Sequence, residues 1–211
     1  MKSVLISVQP YWVFLIIAKL MGWNIEQEKT IEVRKSYPKD IAWDKIAKLY
    51  CSKNKKSFNQ IPKEFQPLMK QFLGKVIGEF ICNEITVAEC GQYCVLPKAK
   101  TMLDALDLMD YANEKTVYGW HISDLVIYDK PKELHEFYKY GFSTMEELEE
   151  ELCGYCSPTN YGEVSSCVTP NGFYSCEGRF CDGAYQEYLD DNFSLTRPPQ
   201  SWCYVESIES E

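Results

Sequence analysis

The sequence predicts an α+β protein, and three observations carry the prediction. Runs of β-branched and aromatic residues at 3–8, 74–83 and 118–128 have the composition of strands, and 3–8 has their two-residue alternation. Residues 10–21 and 102–112 instead repeat their apolar side chains at helical spacing. A cysteine-rich stretch then precedes one last short strand, so an accessory lobe is expected before the chain returns to its main body.

Val4, Ile6 and Val8 alternate with Ser3, Leu5 and Ser7, giving a first strand that ends at Gln9-Pro10. Pro10 suits the first turn of a helix reaching about Met21, in which Trp12, Leu15, Ile16 and Lys19 share the period and which Gly22 closes. Residues 28–35 read as the next strand. Ile31 and Val33 point to one side, and Thr30, Glu32 and Arg34 set a hydroxyl, a carboxylate and a guanidinium on the other, with Lys29 where the strand begins. Residues 47–52 follow as a strand and Lys53–Lys56 as a basic loop, and after Pro62 the residues Phe65, Leu68, Met69 and Phe72 fit one helical face despite Pro67. In the strand from Gly74 to Asn83, Gly78 marks a bulge or a close backbone approach. Thr101 is expected to cap the packing helix that runs through Ala112, and the strand at Tyr118–Ile122 is expected to continue through Leu125–Tyr128. Residues 131–140 read as a helix stopped by Gly141, and Ser143 with Glu146 as the capping box of a short acidic helix. The last strand is Trp202–Val205, introduced by Arg197-Pro198-Pro199-Gln200.

At 211 residues the chain has room for one sizeable core with insertions. A net charge of −9 counts against a protein that coats nucleic acid by charge alone. The average hides an asymmetry: residues 1–75 hold fourteen Lys and Arg against six Asp and Glu, a surplus of eight, whereas the remainder holds eight against twenty-five. If the first segment shares a face, a local basic surface steers a polyanion.

Ten cysteines without a secretory signal point to a reducing compartment, and the chain reads as soluble and cytoplasmic. The apolar run Tyr11–Leu20 resembles a signal peptide, but Pro10 interrupts it, no small-residue cleavage site follows, and it falls short of the roughly 20 residues a membrane span needs. No membrane partner is expected. Cys153-x-x-Cys156 and Cys176-x4-Cys181 have the spacing of two ligand pairs, and Gly178 lets the second pair turn. Four thiolates in a loop-rich lobe suit a structural Zn²⁺, with Cys167 able to replace either member of the second pair. Cys51, Cys82, Cys90, Cys94 and Cys203 lack such pairing and read as small core residues or incidental thiols. Of the two histidines, His121 reads as a hydrogen-bonded structural residue and His135 as an exposed helical one.

Lys29, Glu32 and Arg34 match the charged positions of the G-x-K-x-x-E-x-R signature of ASCH domains, with Gln27 where the signature has glycine. The segments SVLISVQPYW from Ser3, GKVIGEF from Gly74, YGWHISDLVIY from Tyr118, KPKELHEF from Lys130 and TRPPQSWCYVE from Thr196 extend the resemblance from the first strand to the last. It implies a PUA-like mixed β-barrel flanked by helices, formed by residues 1–211 as a single domain with insertions at 36–73 and 141–195. ASCH proteins are common in bacterial viruses and their hosts.

The function this resemblance implies is binding of RNA, a nucleotide or a modified nucleoside in a cleft around the signature. Its candidate residues are Ser7, Gln9, Lys29, Thr30, Glu32, Arg34, Trp120, Ser123, Gln200 and Trp202. Lys and Arg suit phosphate, Glu and Gln suit base edges, and Trp offers a stacking face. The resemblance also implies an alternative, since some ASCH proteins are hydrolases of acylated nucleosides or of RNA; in such a site Lys29 would activate water or act as nucleophile and Glu32 would shuttle protons. The small amidohydrolase branch has threonine where this chain has Glu32. A third reading makes the cysteine-rich lobe the docking surface of a viral or host-modulating protein. The zinc expectation is checked by elemental analysis of protein purified without added metal, which should give about one zinc per chain with Zn–S distances near 2.3 Å; metal-free protein whose four thiols all react rapidly would contradict it.

Overall fold

The computed structural model describes residues 2–39, 45–90, 96–139, 166–169, 172–175 and 194–206. The first half contains β1 (Lys2–Val8), α1 (Pro10–Ile17), β2 (Ile31–Arg34), β3 (Lys45–Cys51), α2 (Lys55–Phe58), α3 (Gln66–Lys70), β4 (Val76–Cys82) and β5 (Ile85–Ala88). The second contains α4 (Lys98–Thr101), α5 (Ala105–Ala112), β6 (Val117–His121), β7 (Ser123–Lys132), β8 (Tyr138–Lys139), β9 (Ser166–Thr169), β10 (Gly172–Ser175) and β11 (Trp202–Glu206). Six strands make a sheet in the order β7-β4-β3-β1-β11-β8, three make a second in the order β2-β6-β5, and β9 pairs with β10. The α+β class is as expected.

β1 lies between β3, its parallel neighbour, and antiparallel β11, so neither edge of its backbone is left open. Its alternation sends side chains to opposite faces, and both faces are covered. Val4, Ile6 and Val8 enter the main core with Phe14, Ile17, Leu49, Phe80 and Trp120, while Leu5 enters a smaller core with Tyr50, Val76, Phe137 and Val205. The second sheet shares the main core through Trp120 and turns its other face to α5, where Val33, Ala88 and Val117 pack on Leu108 and Ala112. The sheets join where β6 runs into β7. There the amide of Ile122 donates to the Thr30 carbonyl at 2.9 Å, which fixes the start of β2 at the corner.

Gly78 combines both roles read for it. The β3–β4 and β4–β7 registers shift beside it, and a Cβ there would lie 2.1 Å from the Val126 carbonyl oxygen.

Several elements depart from the sequence reading. The first helix ends at Ile17, and Ala18 to Gly22 form turns closed by Gly22 at φ +67°. Asp104, not Thr101, caps α5, in a reciprocal box with Asp107. Thr101 instead ends α4, because Met102 turns left-handed at φ 62° and the Thr101 hydroxyl bonds within the turn it closes. The expected helix at 131–140 is the end of β7, a 3-10 turn at Leu134–Glu136 and β8. Pairing of β8 with β11 and burial of Phe137 and Tyr138 outweigh the helical periodicity there. Lys55 and Lys56 belong to a helical turn rather than a loop, because Asn54 accepts from the Ser57 amide and caps it.

Cys51, Cys82 and Cys203 are free thiols, and burial pushes Cys51 up to about 12 and the other two to about 11, the behaviour of inert packing residues. Cys90, read as unpaired, is disulfide-bonded. The expected helix at Ser143 and the ligands Cys153, Cys156, Cys176 and Cys181 lie outside the described residues; Cys167 is on β9, and its side chain is not described. Among the described residues no helix is long and apolar enough to cross a membrane, and no cluster of His, Cys, Asp and Glu could hold a metal.

Gly78→Ala should destabilise the protein by about 1–3 kcal/mol in denaturant titration, since the added methyl must displace the β7 backbone. A change below about 0.5 kcal/mol, the range of ordinary surface substitutions, would contradict the close approach.

Candidate functional site

The loop before β2 is held by backbone on two sides: the Lys29 amide donates to Leu15 of α1, and the Thr30 amide to Lys100 of α4. This pinning turns the Lys29 side chain inward, leaving the residue only 3% exposed. An ammonium has three N–H donors. Those of Lys29 face the Ile31 carbonyl at 2.7 Å, the Thr101 carbonyl at 2.8 Å and Glu32 Oε2 at 3.3 Å. The Trp12 ring lies 5.2 Å from the same nitrogen, close enough for a cation–π contact. Burial holds the Lys29 pKa below the ordinary lysine range; Glu32 pulls it back up, and Arg34 adds to the lowering.

The next charges along β2 complete a buried chain of alternating sign. Glu32 is 4% exposed, and its Oε1 meets Arg34 Nη2 at 3.0 Å. That same nitrogen donates to the Ser7 carbonyl at the end of β1, which ties the signature strand to the central strand of the large sheet. Both faces of β2 are therefore covered. Val33 packs on α5, Ile31 is buried beside Gly119, and the polar face meets Trp120, which stands directly opposite Glu32 in the β2–β6 register. Glu32 Oε2, Arg34 Nε and the Trp120 indole nitrogen are buried and make no hydrogen bond among the described residues, so unmet polar capacity is concentrated on this one face.

Above it opens a cleft of about 440 Å³. One wall is Gln9 and Trp12 of α1 with Gln60 after α2; the floor is Lys29, Glu32, Val33 and Arg34; the far wall is Leu103 with Asp107 and Tyr111 of α5. Gln9 occupies the N-cap position of α1 without spending its side chain on the cap, which leaves the amide available to the cleft. Asp107 and Tyr111 are four residues apart and share a face of α5 turned about 100° from its buried Leu108 and Ala112. Burial raises the Tyr111 hydroxyl above the usual tyrosine range; Arg34 opposes the rise and Glu32 adds to it. Two cations, Lys29 and Arg34, balance two carboxylates, Glu32 and Asp107.

Of the residues singled out in the sequence, Gln9, Lys29, Glu32 and Arg34 line this cleft, and Ser7 supports it through its carbonyl. Thr30 spends its backbone on the corner. Trp120, 2% exposed, lies beneath the floor, with Trp202 packed 6.1 Å away, ring centre to ring centre. The Trp202 indole donates to the Ser36 hydroxyl, and the Ser123 hydroxyl donates to the Ile81 carbonyl. Gln200 is exposed on the loop before β11. None of Thr30, Trp120, Ser123, Gln200 and Trp202 is among the residues lining the cleft.

Trp12, Val33, Gln60, Leu103, Asp107 and Tyr111 were missed. The available signal was the exposed Asp107–Tyr111 pair on a helix read only for its packing face. His121 is hydrogen-bonded as expected, its Nε2 lying 2.7 Å from the Thr86 hydroxyl, and His135 is exposed.

Removing one partner of a buried charge chain leaves the others uncompensated. Lys29→Met should therefore cost roughly 3–5 kcal/mol of stability. Adding Glu32→Gln should recover part of that loss, and a double-mutant cycle by denaturant titration measures the coupling. Strictly additive losses would contradict the pairing.

No family model matches the chain, and no curated protein sequence matches it. Among solved structures it is similar to one of the ASCH protein from Zymomonas mobilis at 14% identity and a TM-score of 0.37, covering 92% of this chain and 96% of that one. It is also similar to a mutant form of the Zymomonas mobilis protein at 14% identity and a TM-score of 0.41, covering 92% of this chain and 100% of that one.

Proposed function

We propose that this is an ASCH-like binding protein whose cleft retains a nucleobase presented by RNA, a nucleotide or a modified nucleoside. The observation that carries the reading is the lining itself. Two aromatic side chains, Trp12 and Tyr111, share one cleft with a guanidinium, an ammonium, two carboxylates and two carboxamides, whose charges cancel. Base edges offer donors and acceptors side by side, which carboxylates, amides and guanidinium groups read, and a base face stacks on aromatic rings. A volume of about 440 Å³ suits one small ligand rather than an extended one. The charged signature supports the same reading, because Lys29, Glu32 and Arg34 all reach this floor.

Binding is favoured over hydrolysis by the state of Lys29. Two of its donors bond carbonyls and its charge is paired with Glu32, so the proton loss that a base or nucleophile needs would break part of the framework that shapes the cleft. The lysine acts here as the holder of Glu32.

Calorimetric titration with nucleosides and short oligoribonucleotides tests the proposal. Tyr111→Ala, at a half-exposed position, should weaken binding by about 1–3 kcal/mol with the melting temperature nearly unchanged, the value of one lost stacking face. Failure of every nucleoside and oligonucleotide to bind would overturn it, and multiple-turnover hydrolysis of an acylated cytidine would move the protein to the hydrolase class.

A further inference from the structure

We propose that the base enters this cleft as part of a single-stranded nucleic acid, whose phosphates run over the surface of α2, α3 and the turns around them. The inference rests on the nucleobase reading above and adds the form in which the base arrives. Between residues 45 and 78 the sequence has eight lysines and one acidic residue, Glu64, in a chain whose net charge is −9. Two of those lysines are compensated in the fold, Lys48 by Glu79 and Lys75 by Glu133. Lys53, Lys55, Lys56, Lys63 and Lys70 are exposed, and none pairs with a carboxylate among the described residues. Five uncompensated cations on one segment repel one another at a cost to the folded chain, and a polyanion relieves that cost.

This segment is fastened to the cleft. The Tyr11 amide of α1 donates to the Ser57 hydroxyl of α2 at 3.0 Å, and Gln60, two residues beyond α2, forms part of the cleft wall. Gly74, at φ +80°, leaves room for the Lys53 side chain, whose Cε lies 2.0 Å from where a Cβ would stand. The opposite wall has the other sign: α5 and its cap carry Asp104, Asp107 and Asp110. A strand with one base in the cleft therefore meets lysines on the α2–α3 side and carboxylates on the α5 side, and its phosphates leave over the lysines. The lining has no cationic surplus to hold a phosphate, which assigns the base to the cleft and the backbone to the shelf. A paired duplex offers a base to a pocket only at the cost of unpairing and unstacking it, a few kcal/mol that a single strand avoids, so the strand is single.

The test measures salt-dependent binding of fluorescent single-stranded RNA and DNA octamers by anisotropy, beside mononucleoside binding by calorimetry. Each is measured on the full chain, on Lys53→Gln/Lys55→Gln/Lys56→Gln, and on the equal-charge control Lys115→Gln/Lys130→Gln/Lys139→Gln. The expected result is a log–log salt slope about 2 smaller in magnitude for the first variant, at about 0.7 per lost phosphate contact. Mononucleoside affinity should be unchanged and the control slope should match the wild type. Mononucleosides that bind as tightly as octamers, or an identical slope loss in the control, would overturn the shelf while leaving the nucleobase cleft standing. Absence of binding by every probe would overturn both.

Discussion

The Lys29 ammonium organises the small sheet, the first helix and the cleft at once. It reaches the carbonyl of Ile31 in β2, the carbonyl of Thr101 in α4 and the carboxylate of Glu32. An ion this deeply buried is costly unless it is paired and hydrogen-bonded, and here it bonds two carbonyls and lies 3.3 Å from a carboxylate oxygen. Glu32 in turn takes Arg34, and Arg34 takes the Ser7 carbonyl of the central strand, so one chain of alternating charge crosses from α4 to the large sheet. Such a chain contributes little net stability compared with an apolar replacement of the same shape, and its value lies in fixing where each charge points.

The cleft follows from that fixing. Its floor is charged but balanced, and its walls come from elements that meet only because β2 is anchored between them. Trp12 arrives on α1, whose Leu15 carbonyl holds Lys29; Asp107 and Tyr111 arrive on α5, whose other face packs on Val33 of the same strand. A balanced polar floor under aromatic walls suits a neutral heteroaromatic ring, and the exposed lysines of α2, α3 and the turns around them belong to the segment that supplies Gln60 to the cleft wall. Under the proposed function, separation of these two chemistries is what would let a protein of net charge −9 hold a polyanion, since the local field and not the total decides where phosphates settle.

The strands were legible wherever alternation and β-branching agreed, as at β1 and β2, and Gly78 announced its own close approach. The charged trio was legible as a trio, but not its burial: the alternating pattern of residues 30–34 cannot distinguish a polar face turned to solvent from one turned to Trp120, because the distinction is made by β6, almost ninety residues later. The helix expected at 131–140 failed for a related reason. Its apolar spacing fits a helix, but Phe137 and Tyr138 are needed beside β11, and a long-range pairing outweighs a local preference. Trp12, Asp107 and Tyr111 were hidden because each lies on a helix whose packing face gave the stronger signal.

Lys29 is the point at which a holder and a catalyst would differ most, because a nucleophilic lysine open to its substrate reacts fast and one buried against carbonyls and a carboxylate does not. Timed labelling of the native protein with acetic anhydride at neutral pH, read residue by residue by mass spectrometry, compares it directly with the exposed lysines. The account predicts that Lys29 is the slowest to label and stays so until the protein unfolds, while Lys55 and Lys56 label at once. Rapid, preferential acylation of Lys29 in the folded protein would contradict it.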